Sequence, residues 1–173
     1  MIETERLILR APEPRDRAPL HAMWADPRVM ADLGPVKTAA DSDAALARHA
    51  SYAPLGFFAV ERREDGATIG FCGLKPGAPN TPIENMLEVG WMLGVPYWGA
   101  GYAREAAAAS IAWGWATRDD SAIVAITARR NAKSRGLMER LGMHYVPALD
   151  FLHPLYAVEN PLSDTVTYRI DRP

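Results

Sequence analysis

One stretch constrains the folding of this 173-residue chain more than any other: VGWMLGVPYWGAGYAREA, from Val89 to Ala106. It reads as a strand, a tight glycine turn and the start of a helix. The apolar run around Leu87 to Leu93 is the strand. Trp98-Gly99-Ala100-Gly101 is the turn. The helix opens at about Tyr102 and continues through Ala106, Ala107, Ala108, Ala109, Ile111 and Trp113. Glycine lacks a Cβ, so the backbone can reverse sharply and a ligand can come close to it. The unpaired N–H groups of the helix's first turn then point outward at the positive end of the helix dipole. Such a site suits an anion, most often a phosphate. A dinucleotide fingerprint would need a third glycine where Arg104 stands, and a Walker loop would need Gly-Lys-Ser/Thr, which is absent. The turn alone leaves a purely structural role open.

Composition bounds the rest. Apolar residues make up 49% and charged residues 23%, ordinary values for a globular chain. The length suits a single domain over 1–173 with a sizeable core. The formal charge is 19 − 21 = −2 with no long block of like charge, which argues against an extended nucleic-acid surface. No apolar run approaches the roughly 20 residues that span a bilayer. The N-terminus lacks a signal peptide's apolar segment. A lone cysteine, Cys72, excludes an internal disulfide framework and suits a reducing cytoplasm. His21, His49, His144 and His153 show no metal-ligand spacing, so no metal site is expected.

Taken in order, Arg6 to Arg10 is a short strand ended by Pro12 and Pro14. A helix is expected from about Arg15 to Ala25, with Ala18, His21, Ala22 and Ala25 at helical spacing. Asp26-Pro27 reads as an N-cap followed by proline at the first position of a short turn reaching Ala31. Thr38 to about Ala53 reads as an amphipathic helix with Ala44, Leu46, Ala47 and Ala50 inward. Phe57 to Glu61 and Thr68 to Leu74 are strands joined through Glu64-Asp65-Gly66, a hairpin signal. Lys75 to Thr81 is expected to be loop. Ala122 to Thr127 is an apolar strand, Asn131 to Leu141 a helix closed by Gly142, Tyr145-Val146 a short strand, Phe151 to Leu162 loop, and Thr165 to Ile170 a final strand. Strands that meander first and then alternate with helices predict an α/β (α+β) three-layer α/β/α domain with a central mixed, mostly antiparallel sheet.

Trp98-Gly-Ala-Gly-Tyr-Ala-Arg-Glu-Ala106 resembles the pyrophosphate loop of the GCN5-related N-acetyltransferases, the GNAT family. The similarity is greatest to the RimJ/RimL-like branch of ribosomal-protein N-terminal acetyltransferases. A second segment, Asn131-Ala-Lys-Ser134 continuing to Leu141-Gly-Met143, resembles the family's Asn-x-x-Ser/Ala…Leu-Gly-Phe stretch. The opening residues, Glu3 to Arg10 and Trp24 to Met30, also resemble that branch, and in the family this region helps shape the acceptor site. The resemblance implies a GNAT-like fold, acetyl-coenzyme A as cosubstrate, an amine acceptor and no metal. It implies contacts to the coenzyme from Met92, Leu93, Gly94, Trp98, Gly99, Ala100, Gly101, Tyr102, Ala103, Arg104, Asn131 and Ser134. In the family the asparagine amide holds the pantetheine arm and the serine lies near the coenzyme sulfur. The plain alternative is that Asn131 only caps its helix.

One departure is informative. Many family members carry a tyrosine at the position of Met138, where it protonates the leaving thiolate. Met138 has no exchangeable proton, so Ser134, one turn earlier, is the side chain expected to donate to the thiolate. Glu88 interrupts an apolar strand beside the turn, and the similar branch has an acid there. It is the expected base for the attacking amine, directly or through a water; the alternative is an exposed strand-face glutamate. Backbone N–H groups from Met92 to Gly94 are placed to polarise a thioester carbonyl. Gly90 is expected to mark a bulge or a close approach of the pantetheine arm. Arg104, and Lys133 beside it, are cations that coenzyme phosphates would draw. Tyr52, Trp91 and the residues near His153 are candidates for an acceptor pocket. The expected activity is acetyl transfer to a protein N-terminal α-amino group or a small-molecule amine, by direct attack without a covalent enzyme intermediate. A non-catalytic acyl-coenzyme A sensing module of the same fold and a nucleotide-binding regulator are the rivals. A homodimer is compatible with the sequence but not indicated by it.

Overall fold

The computed structural model describes residues 1–173. Nine strands form one sheet: β1 (Ile2–Glu3), β2 (Leu7–Arg10), β3 (Gly56–Arg62), β4 (Thr68–Pro76), β5 (Leu87–Leu93), β6 (Ala122–Ala128), β7 (His144–Tyr145), β8 (Phe151–Leu152) and β9 (Asp164–Asp171). Five helices flank it: α1 (Arg17–Ala25), α2 (Pro27–Met30), α3 (Ala39–Ala50), α4 (Tyr102–Thr117) and α5 (Ala132–Arg140). The strands lie in the order β1-β2-β3-β4-β5-β6-β9-β7, with β8 also paired to β9. Every pairing is antiparallel except β5 with β6. The mixed, mostly antiparallel sheet with helices on both sides is the architecture expected from the sequence.

Period-two alternation sends β5 side chains to both faces. Leu87 and Val89 join Ala106, Ala107 and Ile111 of α4 and Met138 of α5 in one cluster. Met92 joins Leu20, Met23 and Trp24 of α1, Val29 of α2 and Ala45 of α3 in the other. Small side chains let α4 lie close to the sheet: a Cβ on Gly114 would stand 2.7 Å from Leu74 Cδ1. The hairpin between β3 and β4 turns at Gly66, whose φ is +68°.

Two helix faces differ from expectation. On α1, Leu20, Met23 and Trp24 are buried, while Ala18, Ala22 and Ala25 face solvent. The larger side chains remove more apolar surface from water, and that sets the helix's roll. On α3, Ser42, Ala45 and His49 are buried and Leu46 is half-buried; Ala44, Ala47 and Ala50 are exposed. The two polar side chains can go inside because both are satisfied. Ser42 Oγ donates to Thr38 O at 2.9 Å, and His49 Nδ1 accepts the Phe57 N–H at 3.1 Å. The boundaries also shift. The helix from Thr38 stops at Ala50, β4 extends through Lys75 into the expected loop, the strand expected at 145–146 is His144–Tyr145, and β8 opens the expected loop at Phe151. Asp26 caps α2 as expected, accepting the Arg28 N–H.

The outer strands are tied to α1 by a buried carboxylate. Asp16, fully buried, accepts from Arg10 Nη1 at 2.6 Å, Arg10 Nη2 at 3.0 Å, the Glu13 N–H at 2.7 Å and Thr68 Oγ1 at 2.5 Å. Burial pushes its pKa up, but the donors from Arg10, Glu13 and Thr68 outweigh that and hold it below the usual carboxylate range. Its stabilisation is therefore present at neutral pH and lost as pH falls through the lowered folded-state pKa. Asp16→Asn leaves a buried guanidinium short of its partner and is expected to cost about 3 kcal/mol in urea unfolding at pH 7. The variant is also expected to lose part of the wild type's acid-side decline in stability.

Candidate active site

The site begins where two strands part. β5 and β6 pair only at Leu87↔Ile123 and Glu88↔Val124. β5 stays paired with β4 through Leu93, and β6 stays paired with β9 through Ala128. Beyond Glu88 the facing edges of β5 and β6 are unpaired with each other, and the gap widens into a cleft of about 840 Å³. Open strand edges can take an extended, amide-bearing chain as an added strand.

At the wide end sits the glycine turn. Gly99 and Gly101 have φ of +78° and +83°. Gly101 is the N-cap of the sixteen-residue α4, and no side chain caps that end. The first-turn amides are left free at the positive pole of the helix. A Cβ on Gly99 would meet nothing within 4 Å, so the turn faces open space. Arg6 holds it from behind. Its Nη1 donates to Ala100 O at 3.0 Å, its Nε to Glu105 Oε2 at 2.7 Å, and its guanidinium lies 4.6 Å from the Tyr102 ring centre. Trp98 Nε1 donates to Leu93 O at 2.8 Å, and Lys133 Nζ stands 4.3 Å over the Trp98 ring. The lining carries Arg28, Arg104, Lys133 and Arg140 against a single acid, Asp32, in a chain of net charge −2. Free helix amides and local positive charge fit a multiply charged anion such as a coenzyme diphosphate.

Asn131 and Ser134 form the opposite wall. Asn131 caps α5: its Oδ1 accepts the Ser134 N–H at 3.1 Å. Its Nδ2 donates to Thr127 Oγ1 at 2.9 Å and Ser134 Oγ at 3.1 Å. The capping role is therefore real. Ser134 Oγ accepts from Asn131 and donates to no protein group, so its hydroxyl hydrogen is available to the cleft. Met138 is buried in the larger core cluster; Leu137 reaches the cleft instead.

Of the residues named from the sequence, the cleft brings together Met92, Leu93, Trp98, Gly99, Gly101, Tyr102, Ala103, Arg104, Asn131 and Ser134. Gly94 and Ala100 do not line it, and neither does Glu88. Glu88 is buried on the α1–α3 side of the sheet, not exposed on a strand face. Its Oε2 accepts from Lys75 Nζ. Burial pushes the Glu88 pKa up and Lys75 partly offsets it, leaving it raised. Oε1 has no protein partner, and no fully buried side-chain oxygen in the molecule lacks one, so this oxygen keeps contact with open space. Gly90 lies on the same face. A Cβ there would stand 2.4 Å from Phe57 Cζ, and the β4–β5 register is unbroken. The close approach at Gly90 is thus that of an aromatic ring, and there is no bulge.

On the far wall, Arg28 and Val29 fall in the stretch that the family likeness associates with the acceptor site, whereas Ala31, Asp32 and Leu33 are not anticipated from the sequence. Arg130 anchors this wall, its Nε donating to Asp32 Oδ1 at 2.8 Å and its Nη2 to Ala31 O at 2.5 Å. Nothing local signals a contact across 98 positions of sequence. Trp91 lines the cleft; Tyr52 does not, and packs edge-on to His49 at 5.9 Å.

An open mixed sheet parted between two parallel strands, with a glycine-capped helix end at the mouth, is the fold of an acyltransferase. The description "Acetyltransferase (GNAT) domain" matches residues 6–144. A Bacillus subtilis protein, the uncharacterized YkkB, is 31% identical over 148 residues, covering 82% of this chain and 84% of that protein. An acetyltransferase from Agrobacterium tumefaciens is 26% identical, with a TM-score of 0.79 over 99% of this chain and 94% of its own. Two more distant structures share the fold. They are spermidine N-acetyltransferase of Vibrio cholerae with coenzyme A and spermine (18% identity, TM-score 0.76, 97% and 96% covered) and RimL, the ribosomal L7/L12 α-N-protein acetyltransferase, with coenzyme A (14%, 0.76, 97% and 95%). The chain belongs to the GNAT acetyltransferase family.

Because Asn131 caps α5, Asn131→Ala is expected to lower stability by about 1 kcal/mol in urea unfolding. Asn131→Ser, which can still cap, is expected to lose less.

Proposed function

We propose that residues 1–173 form one N-acetyltransferase domain that moves the acetyl group of acetyl-coenzyme A to an amine in the cytoplasm, by direct attack. We place it in the RimJ/RimL-like branch, with a protein N-terminal α-amino group or a small-molecule amine as acceptor. The observation that carries this reading is the uncapped, left-handed turn at Gly101, opening onto a cationic cleft whose other wall is Asn131 and Ser134. Bound acetyl-coenzyme A supplies the acetyl thioester. The amides of Tyr102 to Arg104 hold the diphosphate, with Arg104, Lys133 and Arg140 adding charge. The open edge of β5 at Trp91 to Leu93 hydrogen-bonds the pantetheine arm, and an N–H in that stretch polarises the thioester carbonyl. Glu88, through Oε1 or a water, takes the proton that an incoming ammonium must lose. Its raised pKa suits that task. The Ser134 hydroxyl donates to the departing sulfur.

Charge favours an acceptor with one ammonium over a polyamine. The cleft's acid, Asp32, is paired with Arg130, and Glu88 is paired with Lys75. Asp32 is taken, and Glu88 keeps only Oε1 for the reacting ammonium, so a second ammonium finds no free acid. Release of coenzyme A, measured against N-terminal peptides, monoamines and spermidine, tests this. Turnover confined to spermidine would contradict the acceptor assignment, and tight binding of acetyl-coenzyme A with no turnover would indicate a sensor.

Gly101→Val forces a branched residue into a positive-φ position and is expected to weaken acetyl-coenzyme A binding at least tenfold in calorimetry, about 1.4 kcal/mol; unchanged affinity in a folded variant contradicts the turn's role. Glu88→Gln is expected to lower kcat about 100-fold and flatten the acid limb of its pH profile. A wild-type profile removes Glu88 as the base.

A further inference from the structure

Lys75 lies directly opposite Glu88 across the antiparallel β4–β5 pair, so both side chains leave the sheet on one face. Both are mostly withdrawn from water: the side chains are 20% and 8% exposed. Lys75 Nζ donates to Glu88 Oε2 and also lies 3.4 Å from Pro76 O. The ammonium holds one carboxylate oxygen and one carbonyl, and the second carboxylate oxygen has no protein partner. Two other titratable groups stand near this pair. His49, from α3, is held neutral by burial, with Arg48 and Lys75 adding to the effect, its pKa pushed down to about 3. His153, in the segment after β8, is lowered by burial and then by Lys75. Neither carries a charge that could stand in for Lys75 at neutral pH.

We propose that Lys75 is a positioning residue for Glu88: it anchors Oε2, sets its positive charge beside the buried carboxylate, and leaves Oε1 for the incoming amine. This rests on the reading of Glu88 as the base. An isolated carboxylate at this depth would take up a proton and lose its ability to accept one from an ammonium. The neighbouring cation keeps the pKa of Glu88 from rising further while still allowing it to sit above that of a solvated glutamate. The proton moves from the ammonium to Oε1 and on to solvent.

The test compares wild type, Lys75→Met and Lys75→Arg in the pH dependence of kcat/KM, alongside an infrared titration of Glu88 in the protein alone. In the infrared arm, the Glu88 band is identified by its loss in Glu88→Gln. Without the cation the desolvation acts alone, so Lys75→Met is expected to move the acid limb at least one unit to higher pH. That is about a tenfold loss of activity below the limb. The KM for acetyl-coenzyme A is expected to stay unchanged, and Lys75→Arg to restore most of the wild-type profile. The infrared titration of Glu88 is expected to move the same way, and Lys75→Arg provides the folded comparison should Lys75→Met prove unstable. An infrared titration of Glu88 at the same pH with and without the lysine overturns the Lys75 assignment alone. An infrared shift with an unmoved turnover profile removes Glu88 as the base, and this proposal falls with it.

Discussion

Strands β5 and β6 run side by side for two paired positions and then separate, each keeping its outer partner, β4 or β9. A sheet that divides this way loses backbone hydrogen bonds along two facing edges, and something else must hold its halves together. Behind the division, α4 brings Gly114 against Leu74 and Leu87 on one side and Ile123 on the other, where a Cβ would meet all three. The missing side chain lets the helix lie close enough to bridge them. In front, Arg130 ties the end of α2 to the connection between β6 and α5. The cleft between the halves is the space these two fastenings leave open, and Asn131, Ser134 and the turn at Gly101 lie on its walls.

Charge is arranged with the same economy. The helix end at Gly101 has no side-chain cap, while the ends of α3 and α5 are capped by Thr38 and Asn131. The uncapped Gly101 end opens on the cleft and has Arg104 in its first turn. A cation there opposes the helix dipole, and a bound anion would reverse that conflict. Arg6 does not add to the free positive charge, because Glu105 takes it up and uses it to brace the turn. On the other face, the buried Glu88 is kept with its own counter-charge, Lys75 of the neighbouring strand. The site is thus cationic where phosphates would lie and close to neutral where an amine would enter.

Local chemistry made much of this legible in the sequence. The glycine turn, the capping asparagine, the apolar strands and the mixed sheet all rest on contacts within a few residues, or on a period that one strand displays by itself. Three features were not legible. Alanine spacing does not show the inward faces of α1 and α3. The structure instead buries Leu20, Met23 and Trp24, and on α3 two polar side chains that find partners. The wall at Ala31 and Asp32 depends on Arg130, far along the chain. Lys75 fell in a segment read as loop from its prolines and glycine, so its place opposite Glu88 could only follow from the strand register. In each case the deciding contact is non-local, and composition carries no trace of it.

The central claim is that the free amides after Gly101 clasp the diphosphate of coenzyme A. Its most direct measurement is a titration of the ¹⁵N-labelled protein with coenzyme A, followed by backbone amide resonances. The account expects saturable shifts that are largest for Gly101 to Arg104, with a second group at Trp91 to Leu93 and Asn131 to Ser134. Saturating coenzyme A that leaves the amides of Tyr102 to Arg104 unmoved would contradict it.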